Sequence, residues 1–167
     1  FPDNYLIYFY SSMADSSSFS KLFEKKKALK RDCARSLELP MTSTLPLLGF
    51  VIEGERDVAL LGGLLEGIRA LHVPFVIFVR GDDVGELPTA LTEGATIVEH
   101  DDPHYASMWR ACDMAFCLSN ESVRAAFDDA IVPLALSSLR WVKNYDPNRE
   151  TGNSFLFDAV SPWMMFA

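Results

Sequence analysis

Residues 45–52, LPLLGFVI, and residues 73–80, VPFVIFVR, are apolar runs of strand length, and VALLGGLLEGIRAL, residues 58–71, stands between them with the length and spacing of an amphipathic helix. Strand, helix, strand with continuously apolar strands is the pattern of parallel strands joined by crossover helices. The pattern continues downstream. Ala95 to Val98, Met114 to Leu118 (MAFCL) and Ile131 to Leu136 (IVPLAL) read as further strands, and Tyr105 to Cys112 and Glu121 to Ala130 as shorter helices. Pro133 has no amide to donate to a ladder, which predicts an edge position or a strand end there. Upstream, Phe19 to Leu37 reads as a helix with its basic residues outward, introduced by the turn Ser16-Ser17-Ser18. Within residues 58–71, Gly62, Gly63 and Gly67 cost helix propensity but would allow close packing on a sheet. The expected fold is a Rossmann-like, three-layer α/β/α domain with a mostly parallel sheet, and the chain shows no internal repeats.

Composition narrows the function classes. The 167 residues suit one domain able to bury a sizeable core. With 49% hydrophobic and 12% aromatic residues the chain is too apolar for disorder. No run approaches the roughly 20 apolar residues of a membrane helix. The net charge of −8, with its one basic run from Lys21 to Arg35 on a helix face, disfavours binding of nucleic acid through phosphate neutralisation. Cys33, Cys112 and Cys117 are an odd number without a CxxC pair. They read as buried thiols in a reducing, cytoplasmic setting and not as a disulfide framework or zinc knuckle. The N-terminus, Phe1-Pro2-Asp3-Asn4, has no initiating Met and no leader pattern, so the sequence reads as a piece of a longer gene product.

In an open parallel sheet, ligands sit outside the carboxyl ends of the strands. That places the candidate loops at Glu53 to Asp57, Gly81 to Gly85, Glu99 to His104, Ser119 to Ser122 and Ser137 to Asn153. Gly81-Asp82-Asp83 would let the backbone approach a nucleotide or phosphate, and would equally make a plain strand-to-helix turn. Glu99-His100-Asp101-Asp102-Pro103-His104 gathers side chains that could hold a divalent metal, or could form a hydrated acidic loop capping the next helix. The loop fixes no ligand geometry, so no metal is expected. His72, at a helix-to-strand junction, is expected to be structural. There is no GxSxG elbow, Walker loop or GxGxxG, which leaves hydrolase chemistry unsupported.

The long stretch Val142 to Phe157, VKNYDPNRETGNSFLF, is rich in turn residues and returns as a short apolar strand from Ser154. It resembles the glycine-rich loop and following strand of bacterial glycogen and starch synthases. Val142, Tyr145, Pro147, Gly152, Asn153, Phe155 and Phe157 take the matching places. The resemblance extends in order along the chain. Pro2-Asp3-Asn4-Tyr5 through Tyr10-Ser11 is similar to that family's interdomain segment, and Lys26 to Lys30 with Leu37-Glu38-Leu39-Pro40 to the helix after it. Leu48-Gly49-Phe50-Val51 is similar to the first strand of its C-terminal domain, Gly81-Asp82 to its G-x-G-D turn, and Ala111-Cys112-Asp113 with Leu118-Ser119 to its A-A-D…P-S.

The resemblance implies an interdomain segment over residues 1–20 and, over residues 21–167, the nucleotide-sugar-binding C-terminal half of a two-Rossmann (GT-B) glycosyltransferase. Relatives transfer glucose from ADP-glucose or UDP-glucose to an α-1,4-glucan with retention, using no cofactor and no required metal. The partner implied is the N-terminal Rossmann half, together with the nucleotide sugar and an α-glucan, and without nucleic acid or membrane. By the same carry-over, Arg56 or Arg140 would meet the donor diphosphate, Glu121 and Ser119 the donor sugar or ribose, and the Gly81, Asp82 and Tyr105 loops the nucleotide.

The departures point the other way. Where the family carries an Arg and a Lys that offset the charge of the leaving diphosphate, this chain reads Glu53-Gly54-Glu55-Arg56-Asp57. The family's paired loop glycines after the last core strand are replaced by Ser137-Ser138-Leu139-Arg140. Ser119-Asn120-Glu121-Ser122-Val123 keeps a Ser and a Glu but lacks the family's Pro and Gly. Two functions therefore stay open: an active glucosyltransferase half with an eroded donor site, or a catalytically silent relative kept as a binding or regulatory module. An unrelated doubly wound domain such as a receiver would want an acidic cluster at two strand ends, which Asp82, Asp83, Asp101 and Asp102 supply only loosely.

Overall fold

The computed structural model describes residues 16–36, 46–80, 87–93, 95–143 and 152–157. In chain order the elements are α1 (Ser16–Ser36), β1 (Leu48–Ile52), α2 (Glu55–Ala70), β2 (Phe75–Val79), α3 (Thr89–Thr92), β3 (Thr96–Glu99), α4 (Tyr105–Ala111), β4 (Met114–Cys117), α5 (Asn120–Asp128), β5 (Val132–Leu136) and β6 (Phe155–Phe157). The six strands form one sheet in the order β3-β2-β1-β4-β5-β6, and every pairing is parallel. This is the strand order of a Rossmann fold. The chain is a Rossmann-like α/β domain, as the strand and helix spacing implies.

Alternation along the strands sorts the core into two layers. Leu48, Phe50 and Ile52 of β1 face α2 and α3, where Leu61, Leu64, Leu65, Ile68 and Leu91 meet them. Val51 of β1, with Val76 and Phe78 of β2, faces the opposite side, where Cys33 of α1, Met108 and Trp109 of α4, and Val123, Ala126 and Phe127 of α5 close the core. Gly49 has a packing reason. A Cβ there would stand 3.1 Å from Cys112 Sγ and 3.2 Å from the Phe78 ring.

Several boundaries differ from the expectation. α1 begins at Ser16, so Ser16, Ser17 and Ser18 belong to its first turn instead of preceding it. α2 begins at Glu55, three residues before Val58, its first turn closed by the Asp57 amide donating to the Gly54 carbonyl at 3.0 Å. Gly62 and Gly63 lie on the exposed side of α2, and a Cβ on Gly62 would meet nothing within 4 Å, so they do not serve sheet packing. Pro133 is inside β5, which has a neighbour on each side, and is at no edge. The pairing with β6 starts at Leu134, one residue beyond the proline, so its missing amide interrupts no ladder there. The short α3 has no counterpart among the expected elements. Arg69 of α2 holds it by donating to the carbonyls of Ala90 at 3.0 Å and Glu93 at 2.7 Å.

At the amino edge of the sheet, α1 is pinned by a polar clamp. Lys30, only 8% exposed, pairs with Asp113. The Asp113 carboxylate also accepts the Leu47 amide at 2.7 Å, and Lys26 Nζ donates to the Cys112 carbonyl at 2.6 Å. All three cysteines are buried and free. No helix among the described residues is long and apolar enough to cross a membrane.

Candidate functional site

The strand order reverses between β1 and β4, and the crevice outside their carboxyl ends is where a doubly wound sheet places its ligand. Two helix N-termini face that edge, α2 after β1 and α5 after β4. Unsatisfied amides at such termini are what hold phosphates in nucleotide-binding Rossmann domains.

At α5 they are engaged by the chain's own side chains, whereas α2 has Gly54 at its N-cap and no side-chain cap, and its nearest side-chain bond falls on the residue before. Asp57, in the first turn of α2, turns its carboxylate back so that Oδ2 accepts the Glu53 amide at 2.8 Å. At α5, Ser119 and Ser122 form a reciprocal capping box. Ser119 Oγ accepts the Ser122 amide at 3.1 Å, and Ser122 Oγ accepts the Ser119 amide at 3.1 Å. Next to it, Asn120 Oδ1 accepts the Arg140 amide at 2.8 Å. Each expected loop is therefore shorter than the sequence suggests: Glu55-Arg56-Asp57 and Asn120-Glu121-Ser122 are first turns of helices.

A cleft of about 180 Å³ opens beside this edge, between α4 and α5. Val51 and Trp109 line it, with Arg80, His100 and Tyr105 toward the carboxyl ends and Arg110 and Asp129 toward the other end of the helices. The rings interlock. Tyr105 and Trp109 meet Phe78 edge-on at centroid distances of 5.3 Å each, and His100 lies 5.4 Å from Tyr105. Burial raises the Tyr105 phenol above its ordinary range, Arg80 opposes that and Glu53 adds to it, so the hydroxyl stays protonated and can donate. Both guanidiniums are already matched by carboxylates: Arg80 faces Glu53 at 3.8 Å and Arg110 faces Asp129 at 3.3 Å. The described cleft is smaller than the roughly 300–1,000 Å³ of typical small-molecule sites.

The residues singled out from sequence are not gathered into one place. Tyr105 lines the cleft. Ser119 is spent on the α5 cap, while Glu121, Arg56 and Arg140 are exposed. Gly81 and Asp82, like Tyr145, Pro147 and residues 1–15, lie outside the described residues. Sequence reasoning missed Arg80, Trp109 and the bond from the Glu53 amide to Asp57. An acidic residue at the third helical position was the available signal for the last.

In the acidic loop, Asp102 Oδ1 accepts the His104 amide at 2.7 Å and lies 3.1 Å from its Nδ1, an Asx-turn leading into α4. No group of three His, Cys, Asp or Glu side chains among the described residues could hold a metal ion. His72 sits exposed at the α2–β2 junction with φ 53, its Nδ1 2.8 Å from the Ala70 carbonyl. Neither a protein-family model nor a curated protein matches this chain.

Proposed function

We propose that this chain is the C-terminal, nucleotide-sugar-side domain of a glycogen or starch synthase-like glycosyltransferase in a catalytically silent form, serving as a binding or regulatory module beside an N-terminal Rossmann half. The ordered sequence resemblance supports the family, and the Rossmann strand order agrees with it. One observation carries the silence: the Asp57 carboxylate occupies the Glu53 amide where the β1–α2 turn of a donor site would face a diphosphate. A fixed carboxylate there repels the charge that a transferase must stabilise on its leaving group, and Glu53 faces the Arg80 guanidinium at 3.8 Å. Removing such contacts typically costs orders of magnitude in rate.

The second reading is a working donor half. Arg56 and Arg140 favour it, since both are exposed and neither makes an ion pair among the described residues. In that reading the Tyr105 and His100 rings would flank the donor base. Thermal melts with ADP-glucose and with UDP-glucose separate the two. A ligand at a hundredfold its Kd stabilises by about 2.7 kcal/mol, which at about 2–4 °C per kcal/mol is a rise of several degrees. The silent domain is expected to show no shift at millimolar nucleotide sugar. A saturable rise with either donor overturns the proposal.

A further inference from the structure

Two donors at the carboxyl end of the α4–α5 cleft are left over by the fold. The Tyr105 hydroxyl, kept protonated by burial, lines the cleft and has no hydrogen-bond partner among the described residues. Arg80 lines it too, and its charge bears on the phenol against the effect of burial, so the two groups converge. The Arg80 amide donates to the Ile52 carbonyl at 2.8 Å, which fixes the root of the side chain at the end of β2. Its guanidinium faces Glu53 at 3.8 Å, an ion pair too long for a hydrogen bond, so its N–H donors are not spent there.

The rest of the lining is apolar or already engaged. Val51, Ala106, Trp109 and Ala125 make the walls. Ser122 keeps its hydroxyl in the α5 cap, donating to the Ser119 carbonyl at 2.9 Å, and at the far end Arg110 is paired with Asp129 at 3.3 Å. Glu53 does not line the cleft, so the lining holds two arginines against one aspartate in a chain of net charge −8.

That distribution selects a ligand. A guanidinium and a hydroxyl at one end match the two oxygens of a single carboxylate. A phosphate would want backbone amides as well, and those of the neighbouring α5 terminus are closed by Ser119 and Ser122. A second charge on the ligand would have to break the Arg110 pair, and a nucleoside would bring hydroxyls and ring nitrogens to walls that offer them no partner.

We propose that the α4–α5 cleft binds a small monocarboxylate with an apolar body, its carboxylate held by the Arg80 guanidinium and the Tyr105 hydroxyl and its body laid against Val51 and Trp109. The inference rests on the silent-donor reading in one respect, that no donor base claims the cleft.

The test is saturation-transfer NMR on the full chain with hexanoate and phenylacetate at millimolar concentration, set against hexanamide, adipate, uridine and adenosine. At least one monocarboxylate is expected to bind saturably. Hexanamide, which lacks the charge, and adipate, which adds one, should bind far more weakly. Arg80→Gln should weaken acid binding by about tenfold or more, and Tyr105→Phe, which keeps the ring edge against Phe78, by about threefold. Melting curves check that both variants are folded. The inference is overturned if neither acid binds, if hexanamide or adipate binds as tightly as hexanoate, or if both folded variants bind as the wild type does. Displacement of the acid by uridine or adenosine also overturns it and makes the cleft a base pocket. The melts with nucleotide sugars decide the silent-donor reading separately: a rise that hexanoate does not compete away overturns that reading alone.

Discussion

The Asp57 carboxylate accepts the Glu53 amide at 2.8 Å, so the first turn of α2 and the end of β1 are joined by the residue type that a phosphate would otherwise replace. The bond ties the residue before the N-cap Gly54 to the third helical position and places a negative charge at the positive end of the helix. Asp57→Ala is expected to cost about 1 kcal/mol. For a chain of this size that lowers the melting temperature by about 2–4 °C. Asp57→Asn keeps an acceptor but drops the charge and should cost roughly half as much. Equal melting of wild type and Asp57→Ala would show that the bond contributes nothing.

Asp113 does more than pair with one lysine. It accepts the Leu47 amide at the start of β1 and meets Lys30 of α1, which is almost wholly buried. Asp113→Ala strips both at once and leaves a charge inside, a change that typically costs about 3–5 kcal/mol. Urea denaturation should show that loss with an unchanged m-value. Lys30→Met, which removes the charge but keeps the length, is expected to cost less than half as much, because Asp113 keeps the Leu47 amide and the nearby charge of Lys26.

Two glycines should respond in opposite directions. Gly62→Ala is expected to stabilise by about 0.5–1 kcal/mol, because the site is helical, exposed and open, so only the backbone entropy of the unfolded chain changes. Gly49→Ala should destabilise by about 1–3 kcal/mol, since the new methyl meets Cys112 Sγ and the Phe78 ring at 3.1 and 3.2 Å. Adding Cys112→Ala to Gly49→Ala should recover part of that loss, a non-additivity that a double-mutant cycle would measure.

Alkaline pH should weaken the fold. Burial pushes the Cys117 thiol up to about 12 from an ordinary 9.0, against the opposing Ser122 hydrogen bond, and burial also raises the Cys112 and Cys33 thiols. The folded chain keeps these protons after the unfolded chain has released them. Their contribution is therefore complete below pH 9.0 and is lost progressively as pH climbs toward about 12. Burial lowers Lys26 from its ordinary 10.5, so near that pH the unfolded state binds the extra proton and this one group works in the opposite sense. Three thiols outweigh one amine. The urea midpoint is expected to fall above pH 9.0, and the fall should be shallower in Cys117→Ala.

Apolar strand runs and helix spacing determined, without any structure, that this chain is an alternating α/β domain, because parallel strands buried on both faces must be apolar throughout, as LGFVI and FVIFV are. The burial of the three unpaired thiols was equally legible, since it follows from their number, their spacing and their apolar surroundings. Tertiary structure alone decided the order of the strands and hence the place where they reverse, for pairing between β1 and β4 joins residues 66 apart, as at Leu48 and Met114. It decided that Pro133 lies inside the sheet, because only the register shows β6 starting beyond it. It also decided what became of the donor edge. Glu53 to Asp57 read in sequence as one acidic loop at the donor edge, whereas in the fold Asp57 accepts the Glu53 amide and Glu53 turns to Arg80. Trp141 read as part of a long connection until Asn153, twelve residues on, was seen to hold its carbonyl. A contact across twelve residues of irregular chain leaves no periodicity in a sequence.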